Sequence, residues 1–518
     1  MSDTARTTDG HGAPLDSELR DATVQGVRWT SLVRLGTEIL ALASMVVLTH
    51  LVPPAEFGAV AVVMIVNEVA NGLAGTGYGA PLVQRPEITR AHVEAVAAVS
   101  VVTSLALSVL TVAVAFVLPA SLFGARVPEL LPLVAPMFLI SGLTIVPRAM
   151  LERELKFGRL SANDMTTMVV STAVSVGLAI AGLDAEALLL GLLAGGVTSL
   201  VMYQRAAPMP RPRWHRRELR EMVRFGLPTA LSGLAYTGTR NVDYAIVSAA
   251  FGPVRTGYYY RAYLLGVDYQ NKFSRILVQI LFPLFSRAES VESMRLLRAR
   301  VIRANAAVVF PALGVFILTA PVLVPFLLGS EWEPAVVPAQ VLAAGGLAAC
   351  LNVGAEGMAV AAGDPKRVMR FTFVQLAVYI AMIAVATRWG LVAVCVAVGI
   401  FRWGVLTASY RVLLQRLGVP VRQLVVDAGP AGAGLVALLG AGVAVLEGAG
   451  ALGASAAVAA VLAGACGLGA YAVVLRFLFP ALWRDLVRIA VRIALPARPA
   501  GARLLRRPRK PEGAPAVP

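Results

Sequence analysis

Four ionisable residues recur along one apolar stretch of the chain at i, i+7, i+11 and i+14: Arg261, Asp268, Lys272 and Arg275. On a helix of 3.6 residues per turn these spacings fall on a single stripe. Three cations against one anion leave it net positive. A guanidinium fork grips phosphate oxygens in pairs and an ammonium acts as a point charge, so the stripe suits a phosphate-bearing ligand. A second group lies near the start of the chain. Arg34 and Glu38 are four apart and share a helix face, and Arg28 lies nearer the end of the same stretch. Asn67, Glu68 and Asn71 occupy the next apolar stretch, and Arg240, Asn241 and Asp243 precede the stripe.

The substrate-binding set expected from this pattern is Arg28, Arg34, Arg261, Lys272, Arg275, Tyr263 and Tyr269. The expected coupling or cavity-lining polar set is Glu38, Asn67, Glu68, Asn71, Arg240, Asn241, Asp243 and Asp268. Glu38 and Glu68 are the candidates to carry a coupling proton or sodium ion, and no other cofactor is expected. A competing arrangement pairs Arg34 with Glu38, Arg240 with Asp243 and Asp268 with Lys272 as bridges that merely hold helices together. It leaves Arg28, Arg261, Arg275 and Glu68 unplaced. Tyr236, Tyr244, Tyr258, Tyr259, Tyr260, Tyr263 and Tyr269 offer faces for sugar rings, although Tyr258 to Tyr260 read more simply as an aromatic belt at the membrane interface. Arg402 and Glu356 read equally well as paired structure or as site.

The elements that must position these groups are membrane helices. The chain has 518 residues, 58% of them hydrophobic and 15% charged, with a mean hydropathy of +0.74. Soluble domains carry roughly 45–50% apolar and about 25% charged residues. Within a bilayer each buried charge costs at least ~2.5–3.5 kcal/mol on insertion scales, so each requires a polar cavity or a partner. The net charge of +16 would suggest nucleic acid in a soluble chain, but the arginines lie between apolar stretches, where topology needs them, and no nucleic-acid partner is expected. Cys350, Cys395 and Cys466 stand singly, and His11, His50, His92 and His215 form no ligand pair, so neither a disulfide framework nor a metal site is expected.

About 20 apolar residues span a bilayer. Fourteen such stretches are predicted, at 25–50, 57–82, 93–120, 128–149, 163–182, 185–204, 222–250, 257–286, 303–328, 335–361, 369–387, 390–414, 428–446 and 452–478. With both termini inside, the six inner loops together with the helix ends that flank them hold 24 Lys and Arg, and the seven outer loops hold only Arg126, Arg255 and Arg388. Positive loops stay cytoplasmic, so both termini are expected there, in a multi-pass plasma-membrane protein. The expected organisation is a disordered cytoplasmic tail 1–23, an N-lobe 24–204, a basic cytoplasmic loop 205–221, a C-lobe 222–414, two further helices in 428–478 and a basic cytoplasmic segment 480–518. In that last segment Arg484, Arg488 and Arg492 share one helical face, as in an interfacial helix that grips anionic headgroups. The Gly- and Ala-rich stretch 429–470 reads as close helix packing.

An internal repeat supports two parallel six-helix lobes. Pro54-Ala-Glu-Phe-Gly58 matches Pro253-Val-Arg-Thr-Gly257, and Phe123-Gly124 with Pro128 and Pro132 matches Leu328-Gly329 with Pro334 and Pro338. Several ordered motifs then carry a family resemblance. Trp29 and Arg34, Leu51-Val-Pro-Pro-Ala-Glu-Phe-Gly58, Gly75-Thr-Gly-Tyr-Gly79 before Leu82-Val-Gln-Arg85, Asn241-Val-Asp243, Gly257-Tyr-Tyr-Tyr-Arg-Ala-Tyr263, Phe282-Pro-Leu-Phe-Ser286 and Leu328-Gly-Ser-Glu-Trp332 resemble the polysaccharide flippases of the multidrug/oligosaccharidyl-lipid/polysaccharide exporter superfamily. The resemblance runs from about residue 24 to 415.

It implies a transporter rather than an enzyme. The implied substrate is an undecaprenyl-pyrophosphate-linked oligosaccharide, moved by alternating access through a cationic cavity between the lobes for cell-surface polysaccharide, lipopolysaccharide or exopolysaccharide synthesis. Membrane lipids, glycosyltransferases and a polysaccharide polymerase are the implied partners. A cation-coupled drug or metabolite exporter of the same superfamily is the alternative, and the positive stripe argues against it. A membrane glycosyltransferase or polymerase would need acid/base carboxylates in a sizeable outer loop, and the short outer loops hold no such cluster. The orientation is checked by cysteine labelling in intact cells: a cysteine at 255 should react from outside and one at 213 only after permeabilisation. Reversed accessibility would overturn the topology.

Overall fold

The structure is a computed structural model, and it describes residues 36–494 except 75–78, 86, 269, 272, 273, 275–280, 282, 283, 286, 287 and 289. The regular structure among these residues is helical throughout, as expected for an all-α membrane protein. In chain order the helices are α1 (Gly36–Leu51), α2 (Pro54–Ala74), α3 (Ala80–Gln84), α4 (Arg90–Val117), α5 (Ala120–Phe123), α6 (Arg126–Arg153), α7 (Phe157–Ile180), α8 (Ala185–Ala206) and α9 (Arg216–Tyr263). They continue as α10 (Val291–Leu328), α11 (Val336–Leu351), α12 (Ala355–Ala361), α13 (Pro365–Ala386), α14 (Leu391–Ser409), α15 (Arg422–Ala451), α16 (Ala456–Leu478) and α17 (Pro480–Ala494). Among the described residues nine helical segments are long and apolar enough to cross a membrane, and Gly36–Leu51 and Pro54–Ile65 are shorter apolar helices. Within the described residues, the stretches read from the sequence fall on helices, and 25–35, 75–78 and much of 269–286 lie outside the described residues.

Two breaks shape the site. Within α9, Gly252 adopts φ 77°, ψ 178°, which an L side chain rarely reaches, and the helix folds there into a hairpin. The rings of Tyr244 and Tyr259 consequently meet edge to face across the hairpin at 5.5 Å. Gly354, at φ +74°, separates α11 from α12 and turns the chain at the floor of a cavity described below.

The two repeat motifs meet each other. Gly58 on α2 and Gly257 on α9 cross so closely that a Cβ at Gly58 would overlap the Pro253 carbonyl oxygen, and a Cβ at Gly257 would overlap the Pro54 carbonyl oxygen. The contact is reciprocal. Turns matched in sequence touch as a symmetric pair, with small residues letting the backbones approach. Around the crossing, Phe57 packs on Trp332 with centroids 5.5 Å apart, and Tyr258 packs on Trp332 at 6.1 Å. Trp332 is fully buried and donates its indole N–H to the Thr49 carbonyl of α1 at 3.1 Å. One end of the bundle is thereby sealed by residues from both halves.

At the opposite end the chain entering α9 is pinned to the first half by ions. Arg85 bonds Glu221 at 3.2 Å, His92 approaches the same carboxylate at 3.6 Å, and His215 meets Glu94 at 3.1 Å. The Arg85 hydrogen bond holds the Glu221 carboxyl below the usual carboxylate range. Arg153 donates to the carbonyls of Leu82 and Arg85, tying down the Leu82–Arg85 motif.

The last helices pack on α10 through small residues, as the Gly- and Ala-rich stretch implied. The Tyr471 ring lies where a Cβ on Gly434 would sit, and Leu435 and Leu438 crowd Gly314. Helix α17 presents Leu482, Trp483 and Leu486 to this core and exposes Arg484 and Arg488. Adding a methyl at either crossing glycine overlaps backbone rather than a yielding side chain, and overpacking of this kind costs about 1–3 kcal/mol. Gly58→Ala and Gly257→Ala should each lower the thermal midpoint in detergent, whereas Gly177→Ala, with nothing within 4 Å of its added methyl, should not. Equal midpoints for all three would show that the crossing is not tight.

Candidate functional site

The α9 hairpin is clamped by one carboxylate. Asp243 is fully buried and accepts from the hydroxyls of Tyr259 at 2.6 Å and Tyr379 at 2.8 Å and from the backbone N–H of Tyr244 at 3.1 Å. Tyr379 comes from α13, so this carboxylate ties the hairpin to a distant helix. Phenol donors let a buried anion keep hydrogen bonds without a formal ion pair. One turn before it, Arg240 donates to Asp268 at 2.9 Å. From α14, Arg402 donates to the Tyr263 hydroxyl at 2.8 Å, with its guanidinium 5.6 Å from that ring's centroid.

These groups frame a cavity of about 530 Å³ whose lining includes Arg240, Tyr263, Asn352, Glu356, Tyr379 and Arg402. The volume lies in the range of ordinary ligand sites. Its walls come from α9, the segment after it, α11 to α14 and the Gly354 turn, all in the second half of the chain. The buried Asn352 amide oxygen has no hydrogen-bond partner. Two guanidiniums, one carboxylate and phenol groups form a surface that can bind an anion and hydroxyl-rich rings together.

Arg261 takes a different place. It is 6% exposed, and its guanidinium lies 3.9 Å from the Phe57 ring centroid, 5.5 Å from Tyr260 and 5.9 Å from Trp332. The sequence put it on a stripe with Asp268; the structure uses it inside the sealed end, where an aromatic cage carries the cation. Asp268 faces Arg240, so the pairing of Arg240 with Asp243 weighed from the sequence does not form. Tyr259 and Tyr263 are buried and Tyr258 packs on Trp332, so these rings form internal packing and a cavity wall rather than an interfacial belt. Asn67 is buried and Glu68 exposed on α2, Glu38 lies on α1, and Asn241 bonds the Thr237 carbonyl of its own helix. Arg28, Arg34, Tyr269, Lys272 and Arg275, and the side chains of Asn71 and Tyr236, lie outside the described residues.

Tyr379 carried no signal in the sequence, because a single tyrosine in an apolar helix has no period to mark it. Arg402 and Glu356 were visible only as intramembrane charges. Phe57 and Trp332 stood within motifs, and their shared contact with Arg261 appears only when both halves are assembled.

A family model described as polysaccharide biosynthesis protein matches residues 47–337. Among curated proteins, the chain is 23% identical over 376 residues to an uncharacterized membrane protein in the cps region of Klebsiella pneumoniae, covering 72% of this chain and 78% of that one. It is 25% identical over 341 residues to the lipopolysaccharide biosynthesis protein WzxC of Escherichia coli (strain K12), covering 64% and 68%. The teichuronic acid biosynthesis protein TuaB of Bacillus subtilis (strain 168) is 25% identical over 336 residues, covering 62% and 68%. Among solved structures, the fold is similar to the lipid II flippase MurJ in an inward closed conformation, with a TM-score of 0.68 at 14% identity over 89% of this chain and 99% of that one. An inward-facing multidrug resistance MATE family transporter of the MOP superfamily gives a TM-score of 0.59 at 16% identity over 75% and 98%. The expected transporter architecture is borne out.

Removing one donor to a buried carboxylate leaves the remaining charge underpaired, at about 1–3 kcal/mol. Tyr379→Phe should therefore lower the thermal midpoint more than Tyr258→Phe, whose hydroxyl makes no bond to Asp243. Equal losses would show that Asp243 does not depend on the α13 phenol.

Proposed function

The chain belongs to the polysaccharide biosynthesis protein family, and from that premise we propose that it moves undecaprenyl-pyrophosphate-linked oligosaccharide repeat units across the plasma membrane for cell-surface polysaccharide assembly. The observation that carries this reading is the cavity beside a sealed end: Arg240 and Arg402 stand among tyrosine faces, and Gly58 and Gly257 close the bundle above them. Pyrophosphate is matched by guanidinium forks, and sugars by phenol rings.

The arginine distribution supports an orientation with both termini in the cytoplasm, which puts the glycine crossing on the outer side. In this reading the halves 24–204 and 222–414 rock against each other. When they part at Gly58 and Gly257, Arg261 leaves the Phe57 ring and the cavity opens outward. The proposed substrate-binding role extends to Arg28, Arg34, Lys272, Arg275 and Tyr269, which lie outside the described residues, and Glu38 or Glu68 carries the coupling proton or sodium ion. Glycosyltransferases supply the lipid-linked unit and a polymerase consumes it. A cationic drug would meet Arg240 and Arg402 in the cavity wall against the single carboxylate of Glu356 among the described lining residues.

The test is transfer of a fluorescent pyrophosphate-linked oligosaccharide across reconstituted proteoliposomes. The wild-type protein should move it, and Arg240→Gln and Arg402→Gln should slow it about tenfold or more, as the loss of a charge-assisted hydrogen bond implies. Wild-type protein that moves a cationic dye but not the lipid-linked sugar would overturn the reading in favour of a drug exporter. Unchanged rates in both variants would remove the cavity from the mechanism.

A further inference from the structure

A second cationic site lies at the start of α10, away from the cavity just described. Arg298 is 1% exposed, a side chain of guanidinium type buried almost completely. It donates to the Tyr410 hydroxyl at 3.1 Å, reaches the Leu351 carbonyl at 3.5 Å and lies 4.8 Å from the Tyr410 ring centroid. Its Nε is buried with no hydrogen-bond partner. The two acids nearby are already engaged. Glu292 bonds Arg295 at 2.7 Å, and the buried Asp427 bonds Arg303 at 3.0 Å and Gln423 at 3.2 Å.

Arg298 is thus a buried cation whose partners are all neutral. The Leu351 carbonyl ends α11, so a helix-dipole charge offsets part of it, at long range. A buried charge without a counter-charge is strongly unfavourable, so the surroundings of Arg298 suit an anion. Space for one is present: a cavity of about 240 Å³ is lined by three arginines, Arg295, Arg298 and Arg303, against the paired carboxylates of Glu292 and Asp427, with Gln423 and the turn at 418–420. It shares Arg303 with a second cavity of about 650 Å³, whose other walls include Val425, Val426, Phe479, Leu482 and Arg484. The first is polar and cationic, and the second is an apolar groove beside the amphipathic α17.

We propose that the junction of α10, α15 and the 410–420 segment binds a phosphate group, held by Arg298 with Arg295 and Arg303. The phosphate is that of an anionic membrane lipid or a free phosphate ion. The adjoining apolar groove favours the lipid, with its phosphate on the arginines and an acyl chain along α15 and α17. The site shares no lining residue with the 530 Å³ cavity. It touches that cavity through Arg298 and the Leu351 carbonyl, next to Asn352 in its wall, so an anion here steadies the turn at Gly354.

The full chain in nanodiscs of phosphatidylcholine is titrated with phosphatidylglycerol in one arm and with inorganic phosphate in the other, chloride holding ionic strength constant. Thermal midpoint and lipids retained in native mass spectrometry are the readouts. A rise with phosphatidylglycerol, with apparent affinity weakened about tenfold or more in Arg298→Gln and Arg295→Gln, supports the lipid as source. A rise with inorganic phosphate alone, lost in the same variants, supports the site with the free ion as source. Should Arg298→Gln fail to fold, Arg295→Gln decides, because Arg295 is partly exposed and paired with an exposed glutamate. No rise with either phosphate, or equal rises in wild type and variants, overturns the proposal.

Discussion

The crossing of α2 and α9 is the contact on which the rest of the structure depends. Two backbones can approach this closely only where neither carries a Cβ, and Gly58 and Gly257 meet that condition reciprocally. The approach places Phe57 beneath Arg261 and brings Trp332 to the Thr49 carbonyl, so a backbone contact becomes an aromatic and cationic seal. The seal is made from both halves, and no single half can close it. A transporter that exposes its site to one side at a time needs a contact that is tight when made and cheap to break. Phe57, Tyr258 and Trp332 meet edge to face beside the caged Arg261, within a buried apolar cluster drawn from both halves.

Charge in the membrane follows the same economy. Asp243 is held by two phenols and a backbone N–H, Arg240 by Asp268, and Arg402 by a tyrosine hydroxyl. These bonds fix where the cavity walls stand and leave guanidinium edges toward its interior. At the α10 junction Arg298 is buried against the Tyr410 hydroxyl and the Leu351 carbonyl. A lipid headgroup there would couple the helix pair α15 and α16 to the Gly354 turn without entering the transport path.

The sequence made the helical architecture legible because period and hydropathy are local. The apolar stretches, the Gly- and Ala-rich packing of 429–470 and the matched turns at 54–58 and 253–257 all reappear as structure. That those turns meet depends on how two halves pack, which no local window contains. The same limit explains the charges. Arg261 and Asp268 are seven apart on an ideal helix, yet the wide turn at Leu264–Asp268 re-aims the helix between them, and they serve the seal and the cavity separately. Arg298 counted as one more inner-loop cation fixing topology. Only the assembled fold shows that it is buried and that Glu292 and Asp427 are spent on its neighbours.

The central claim, that the sealed end opens when the cavity is loaded, is tested most directly by a distance measurement across the crossing. Spin labels at 55 and 254, in reconstituted protein with and without a pyrophosphate-linked oligosaccharide, report it by double electron–electron resonance. A single short distance in the empty protein, joined by a longer population on loading, is the expected result. One unchanging short distance under both conditions would contradict the claim.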